Sequence, residues 1–281
     1  MSIRSRLISV ANHALGVAGL TVRPMRGFGR RISGWEVLRT SGAARPEKVG
    51  GDSVAHHDGT IVSTVEDGVP LVWFVANPND VIQSKHMRGG FYEQEELNVI
   101  ASLYKGGVFV DIGANVGNHA IFAARNLKAP KVICFEPNPS AYELLKLNFR
   151  LNELSPTLDL RTVGLSDQIA RLPHSASANN LGDGRFCADA IKGDQTLQVL
   201  VGDDELRGVD VGFVKVDVEG MELRVLGGLQ RLIQRSKPPM FIEVDAANDH
   251  AFKEFVSGMG YRVVQTCRRY SGNCNYAIAA S

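Results

Sequence analysis

The chain has 281 residues, enough for one or two domains with a sizeable core. Its 44% hydrophobic and 22% charged residues exclude a disordered or collagen-like chain, and a net charge of +1 supplies no global attraction for nucleic acid. No apolar run reaches the roughly 18 residues of a membrane-spanning helix. The four cysteines, Cys134, Cys187, Cys267 and Cys274, form no CxxC pair; they read as reduced thiols packed as small hydrophobes in a chain expected to be cytoplasmic.

The charge is unevenly spread. Residues 1–50 carry nine Lys/Arg against Glu36 and Glu47, a net of +7, and residues 1–58 read as a basic N-terminal extension. Within it Ile3, Leu7, Val10, Ala14 and Val17 recur at helical spacing. Such an amphipathic helix would pack on the main domain or make peripheral contact with an anionic membrane through residues 1–30. Ser41–Asp58, with His56 and His57, reads as a loop, and residues 59–90 as an accessory β-hairpin turning at Glu66-Asp67-Gly68.

Residues 91–281 follow a different rhythm. Phe91, Leu97, Ile100, Leu103 and Tyr104 predict a helix before Gly106-Gly107. Apolar runs of strand length then follow at Val108–Ile112, Lys131–Glu136, Leu158–Val163, Phe213–Asp217 and Phe241–Val244, with strands near 261–266 and 274–279. Helices separate them: one to about Leu127, one opening at Asn138-Pro139, one carrying Leu223, Leu226, Leu229 and Ile233, and one over 248–258. This alternation predicts an α/β fold, a doubly wound, mostly parallel sheet covered on both faces. The stretch 173–210 breaks the rhythm and reads as a lid-like insertion that would select a substrate; residues 167–210 hold eight acidic residues against four basic ones.

In such a sheet, ligands bind beyond the carboxyl ends of the strands, near the switch point. The first strand ends in DIGANVGNHA, where Gly113 would allow the tight turn and Gly117 the close start of a helix. Asn115 stands where a dinucleotide-binding loop would have its second glycine, which argues against a nicotinamide oxidoreductase. Asp111 suits an amino group better than a pyrophosphate. Glu136 ends the second strand, where a carboxylate accepts hydrogen bonds from both ribose hydroxyls. A ribose with a cationic amino-acid tail describes S-adenosylmethionine.

With GGFYEQEE, VFVDIGANVGNHA, FEPNP, VGLSD, FVKVDVEGMELRVLGG and FIEVD in this order over about residues 85–245, the chain resembles the FkbM family of S-adenosylmethionine-dependent methyltransferases. The resemblance implies a Rossmann-like class I methyltransferase sheet of seven strands and S-adenosyl-L-methionine as cofactor. It implies that Asp111, Gly113 and Gly117 frame the methionine part, Glu136 the ribose and Asn138 the adenine edge, with Asn115 also among the cofactor-binding residues. Tyr92 and Glu93 would close over the methionine end from the preceding helix, and Ser166 and Asp167 would sit beside the adenine. Asp217 and Glu219 would lie where donor and acceptor meet, the acceptor being a hydroxyl of a sugar, glycan precursor or natural product.

A hydroxyl needs a base within hydrogen-bond reach, for which Asp217, Glu219, Glu222, Glu243 and His119 are candidates. Glu219 and Glu222 serve equally as first-turn charges of a helix, and His119 as an ordinary helix residue. Asp217, Glu219, Glu243 and Asp245 could instead converge on a divalent cation, although no metal is expected. Two other readings stay open: a nucleic-acid methyltransferase using the basic arm, and a non-catalytic cofactor-binding protein. The DVEG turn in place of (D/N)PP(Y/F), and the acidic insertion, speak against nucleic acid as a partner.

Overall fold

The computed structural model describes residues 20–24, 33–39, 59–66, 69–177, 180–186 and 195–281. The basic helix expected over 3–17, the loop with His56 and His57, the hairpin turn at Asp67-Gly68 and Cys187 lie outside the described residues. No helix among the described residues is long and apolar enough to cross a membrane.

The apolar runs pair into one sheet of seven strands. β5 (Val108–Ile112), β6 (Val132–Phe135), β7 (Leu158–Arg161), β12 (Val211–Val216), β13 (Met240–Asp245), β14 (Tyr261–Cys267) and β15 (Asn273–Ala280) stand in the order β14-β15-β13-β12-β5-β6-β7. β15 runs antiparallel to β13 and β14, and the other pairings are parallel. The chain winds outward from β5 to β7 and returns to β12 on the other side of β5. That reversal is the switch point, and it makes the expected doubly wound Rossmann-like sheet.

Alternate residues of each strand feed opposite layers, as a pleat of period two requires. Phe109, Cys134, Phe213 and Phe241 face α2 (Gln94–Leu103) and α3 (Asn118–Arg125). Val110, Ile112, Ile133, Phe135, Val214, Val216 and Ile242 face α6 (Glu222–Gly227), α7 (Gln230–Ser236) and α8 (Asp249–Gly258). One helix was expected over the α6 and α7 region. It breaks at Gly228, which packs against the Ser166 carbonyl so closely that a Cβ there would collide with it.

The N-terminal side differs more from expectation. Residues 60–75 form β3 (Thr60–Glu66) and β4 (Val69–Val75), the second half of a four-stranded antiparallel sheet with β1 (Leu20–Pro24) and β2 (Ser33–Arg39). The hairpin is no appendage. Val62, Leu71, Trp73 and Val75 share a core with Phe91 and Phe109, and Ile61, Val72 and Phe74 share one with Leu144 and Leu151.

β4 is the edge of its sheet, and α4 (Pro139–Leu151) caps that edge with asparagines one turn apart. Asn148 Oδ1 accepts from the Phe74 N–H at 2.7 Å, and Asn152 Oδ1 from the Val72 N–H at 2.9 Å. The Asn148 amide also donates to the Val116 carbonyl at 2.9 Å, tying strand edge and helix to the glycine loop after β5. A short helix not foreseen in the sequence, α1 (Val81–His86), follows β4, capped by Asp80 accepting from the Ile82 and Gln83 N–H groups.

The described residues of the insertion form strands and a short helix. β8 (Gly164–Ser166), β9 (Ala170–Ser177), β10 (Asn180–Phe186) and β11 (Gln195–Val201) form a second sheet in the order β10-β9-β11-β8, and the short α5 (Gly202–Glu205) follows β11. Alternation within these stretches is weak, so the sequence reads as loop where the chain makes a hairpin. β10 comes back against α1.

Asn148 is fully buried, so its removal strands a donor and an acceptor that lie away from water. Asn148→Ala is expected to cost about 2–6 kcal/mol in denaturant unfolding, on about 1–3 kcal/mol per unsatisfied buried group. Asn152→Ala, at a half-buried position, is expected to cost less.

Candidate functional site

The switch point carries a buried ion pair that the sequence analysis missed. Lys215 on β12 stands directly opposite Asp111 on β5 in the parallel ladder. The lysine Nζ lies 3.2 Å from Asp111 Oδ1 and 3.4 Å from Asp217 Oδ2, and donates to the Gly113 carbonyl at 2.9 Å. Asp111 has no solvent exposure and Lys215 has 3%. Burial pushes the Asp111 carboxyl up, and the lysine opposes that shift. Burial lowers the Lys215 pKa, but Asp111, Asp217 and Glu93 outweigh it and leave the ammonium more firmly charged than usual.

Above this pair the glycine loop turns sharply. Gly113 (φ +79°) leaves no space for a side chain, because a Cβ there would run into the Asp217 carbonyl. Asn115 takes a left-handed conformation (φ 48°), and Gly117 (φ +95°) starts α3. The Asn115 N–H donates to Glu136 Oε2 at 2.8 Å, and the Asn138 N–H to Glu136 Oε1 at 2.8 Å. Both oxygens of this buried carboxylate are thus oriented by backbone amides. Burial raises its pKa to about 7 in spite of them.

Tyr92 and Glu93 are held from a different side, in the turn that precedes α2 and not in the helix itself. Asn118 accepts from the Tyr92 N–H at 2.9 Å and donates to the Tyr92 carbonyl at 3.0 Å. His86 Nε2 hydrogen-bonds the same Asn118 Oδ1 at 3.1 Å, and its ring stacks on Trp73 at 3.8 Å. Burial lowers the His86 pKa to about 4. Glu93 has φ 57°, and burial, with Asp217 and Glu96 nearby, raises its carboxyl to about 8.

The cavity so formed measures about 420 Å³ and is bounded by the tips of β5, β6, β12 and β13. It brings together Tyr92, Glu93, Gly113, Asn115, His119, Glu136, Asn138, Asp217, Glu219 and Glu243. His119 Nε2 lies 3.5 Å from Glu93 Oε2 and makes no hydrogen bond, and burial depresses its pKa strongly, so the imidazole is neutral. Asp217, Glu219 and Glu243 offer oxygens within 4.8 Å of one another. Glu243, which accepts from Asn273 Nδ2 at 2.6 Å, is raised to about 9 by burial and by Asp217, Glu93 and Glu219.

Other expected residues stand elsewhere. Gly164 and Leu165 line the cavity where Ser166 and Asp167 were expected. Ser166 is buried with its Oγ on Asp167 Oδ1 at 3.0 Å, and Arg224 draws Asp167 outward at 3.0 Å. Asp111 lies beneath the floor of the cavity, and Gly117 under α3 against Leu145. The Asn138 side-chain oxygen caps α4 through the Ser140 N–H at 3.0 Å. Glu222 accepts from the Gly220 N–H at 2.6 Å and from Asn248 at 2.9 Å, a helix-start role that takes it out of the site. Asp245 caps the next turn through the Ala247 N–H at 2.9 Å and does not join the three carboxylates.

The β14–β15 connection supplies a rim that local patterns did not reveal. Tyr270 shares a hydrogen bond with the Tyr92 hydroxyl at 2.9 Å. Arg269 grips both oxygens of the buried Glu96, at 2.7 and 2.9 Å, with its guanidinium 5.5 Å from the Tyr92 ring centre.

A doubly wound sheet with carboxylates at the tips of its first two strands and at the switch point is the architecture of α/β proteins that bind ligands beyond the carboxyl ends of their strands. The chain belongs to the Methyltransferase FkbM domain family, which matches residues 111–263. It is 30% identical over 165 residues to Methyltransferase sdnD of Sordaria araneosa, covering 46% of this chain and 63% of that protein. It is 27% identical over 228 residues to Hexuronic acid methyltransferase AglP of Haloferax volcanii, covering 78% and 82%. The crystal structure of Methyltransferase FkbM from Methylobacillus flagellatus KT aligns with a TM-score of 0.46 at 19% identity, over 61% of this chain and 43% of that one.

Two measurements check this electrostatic arrangement. Lys215→Met leaves Asp111 buried without its cation and is expected to cost about 3–5 kcal/mol in unfolding experiments. Glu136, Glu93 and Glu243 titrate at about 7, 8 and 9 when folded, against an ordinary 4.5. The folded state then keeps protons that the unfolded chain has lost, so stability falls as pH rises through these values. His86 and His119 act in the opposite sense, but only below their ordinary 6.5. The melting temperature of the ligand-free protein is expected to decline between pH 7 and 9, and Glu243→Gln to flatten the upper part of that decline.

Proposed function

We propose that the chain is an S-adenosylmethionine-dependent O-methyltransferase acting on a hydroxyl of a sugar, glycan precursor or natural product. The observation that carries this reading is Glu136, a buried carboxylate fixed by the Asn115 and Asn138 amides at the rim of a cavity whose opposite wall is acidic. Each Glu136 oxygen keeps lone-pair capacity for a ribose hydroxyl. The donor set fits the cofactor in a second way, since the buried His119 Nε2 and the Asn115 Oδ1 both lack partners in a cavity they line.

Glu136 would hold the ribose, and the Asn115 and Asn138 segments would flank it. Gly164 and Leu165 would take the place beside the adenine foreseen for Ser166 and Asp167. Asp111 would act through Lys215 and the Gly113 turn, which set the shape of the methionine end. When bound, the cofactor supplies an electrophilic methyl carbon on a sulfonium sulfur. Asp217, Glu219 and Glu243 would accept the hydroxyl proton of the acceptor, a contribution of about 10²–10⁴-fold. Alignment of acceptor and methyl carbon falls to the cavity walls and the Tyr92–Tyr270 rim. The name of the Haloferax volcanii relative, a hexuronic acid methyltransferase, supports a carbohydrate acceptor.

Isothermal titration tests the reading. Binding of S-adenosylmethionine by the full chain, weakened at least about tenfold in Glu136→Ala by loss of charge-assisted hydrogen bonds, is the expected result. Undiminished binding by that variant would overturn it.

A further inference from the structure

The acidic wall holds more carboxyl groups than proton acceptance alone requires. Glu93, Asp217, Glu219 and Glu243 all line the cavity, and among the described residues that do so Lys215 is the single Lys or Arg. That lysine is shared by Asp111, Asp217 and the Gly113 carbonyl. Arg269, just outside, is held by Glu96. Asn273 meets Glu243 from β15 with a neutral amide, Tyr92 and Tyr270 close the rim with neutral hydroxyls, and His119 offers an unpartnered, buried, neutral nitrogen.

Resting on the cofactor reading above, we infer that Glu93, Asp217 and Glu243 make this cavity selective for charge, so that it holds the cationic methyl donor more tightly than the neutral thioether left after transfer. Carboxyl groups gathered out of water resist ionising together, because like charges repel and lose solvation, and a cation among them relieves both costs. The demethylated product brings no such charge at sulfur. In the free protein Glu93 and Glu243, at about 8 and 9, keep protons at neutral pH. A cationic ligand displaces those protons and a neutral one leaves them in place. Loss of the positive charge thus becomes the signal for product release.

Calorimetry of the full chain with EDTA present, so that no divalent ion competes for the carboxylates, compares S-adenosylmethionine, its stable cationic analogue sinefungin and S-adenosylhomocysteine. The two cationic ligands are expected to bind about tenfold or more tightly than the neutral one, with heats that vary with buffer as protons are released. Glu243→Gln and Glu93→Gln should each shrink the preference severalfold by weakening the cationic ligands alone. Equal or tighter binding of S-adenosylhomocysteine by the unaltered protein overturns the inference and leaves the cofactor reading intact. Binding of none of the three overturns both. The comparison within the unaltered protein stands even where a variant fails to fold.

Discussion

One ion pair governs the arrangement of the rest. Lys215 and Asp111 face each other across the ladder between β5 and β12, at the place where the chain reverses its direction of winding. Burying both is expensive, and the cost is met only because the register brings them together and the Gly113 carbonyl takes a further lysine proton. That carbonyl belongs to the glycine loop, whose backbone in turn orients Glu136 through Asn115. Asp217 leans on the same ammonium. The ends of three strands are therefore fixed relative to one another by a single charge in the cavity floor.

The second organising device is the repeated use of buried asparagine. Asn118 holds the Tyr92 backbone in place, and Asn148 and Asn152 close the exposed edge of β4. An asparagine side chain both donates and accepts, so it can stand in for a missing strand neighbour without adding charge to a crowded acidic region. The N-terminal hairpin and the switch point become parts of one packed unit by this means.

Much of the fold was legible because it is written locally. The runs VFVDI, KVICFE and FVKVD show continuous apolar character with an acidic residue at or next to the tip, and Asn138-Pro139 announces its helix. Asp111, Gly113, Glu136, Asp217 and Glu243 follow from that pattern. Lys215 was missed because a lone lysine within an apolar strand gives no sign of its partner until the register is known. Tyr270 and Asn273, which line the cavity, and Arg269 just outside it were missed because they come from a stretch more than a hundred residues away from the glycine loop. Ser166 and Asp167 stand outside the cavity lining because of another tertiary contact that the sequence does not display: Arg224 of α6 holds Asp167, and Asp167 takes the Ser166 hydroxyl. The strands β9, β10 and β11 left little trace because they lack clean alternation.

The short connection between β14 and β15 touches the cavity twice. Tyr270 meets Tyr92 at the rim, and three residues later Asn273 holds Glu243 in the wall. Rim and wall are thus strung on one piece of backbone. The position of the rim tyrosine and the orientation of the wall carboxyl are therefore set together by one short segment, and a change in its length would disturb both.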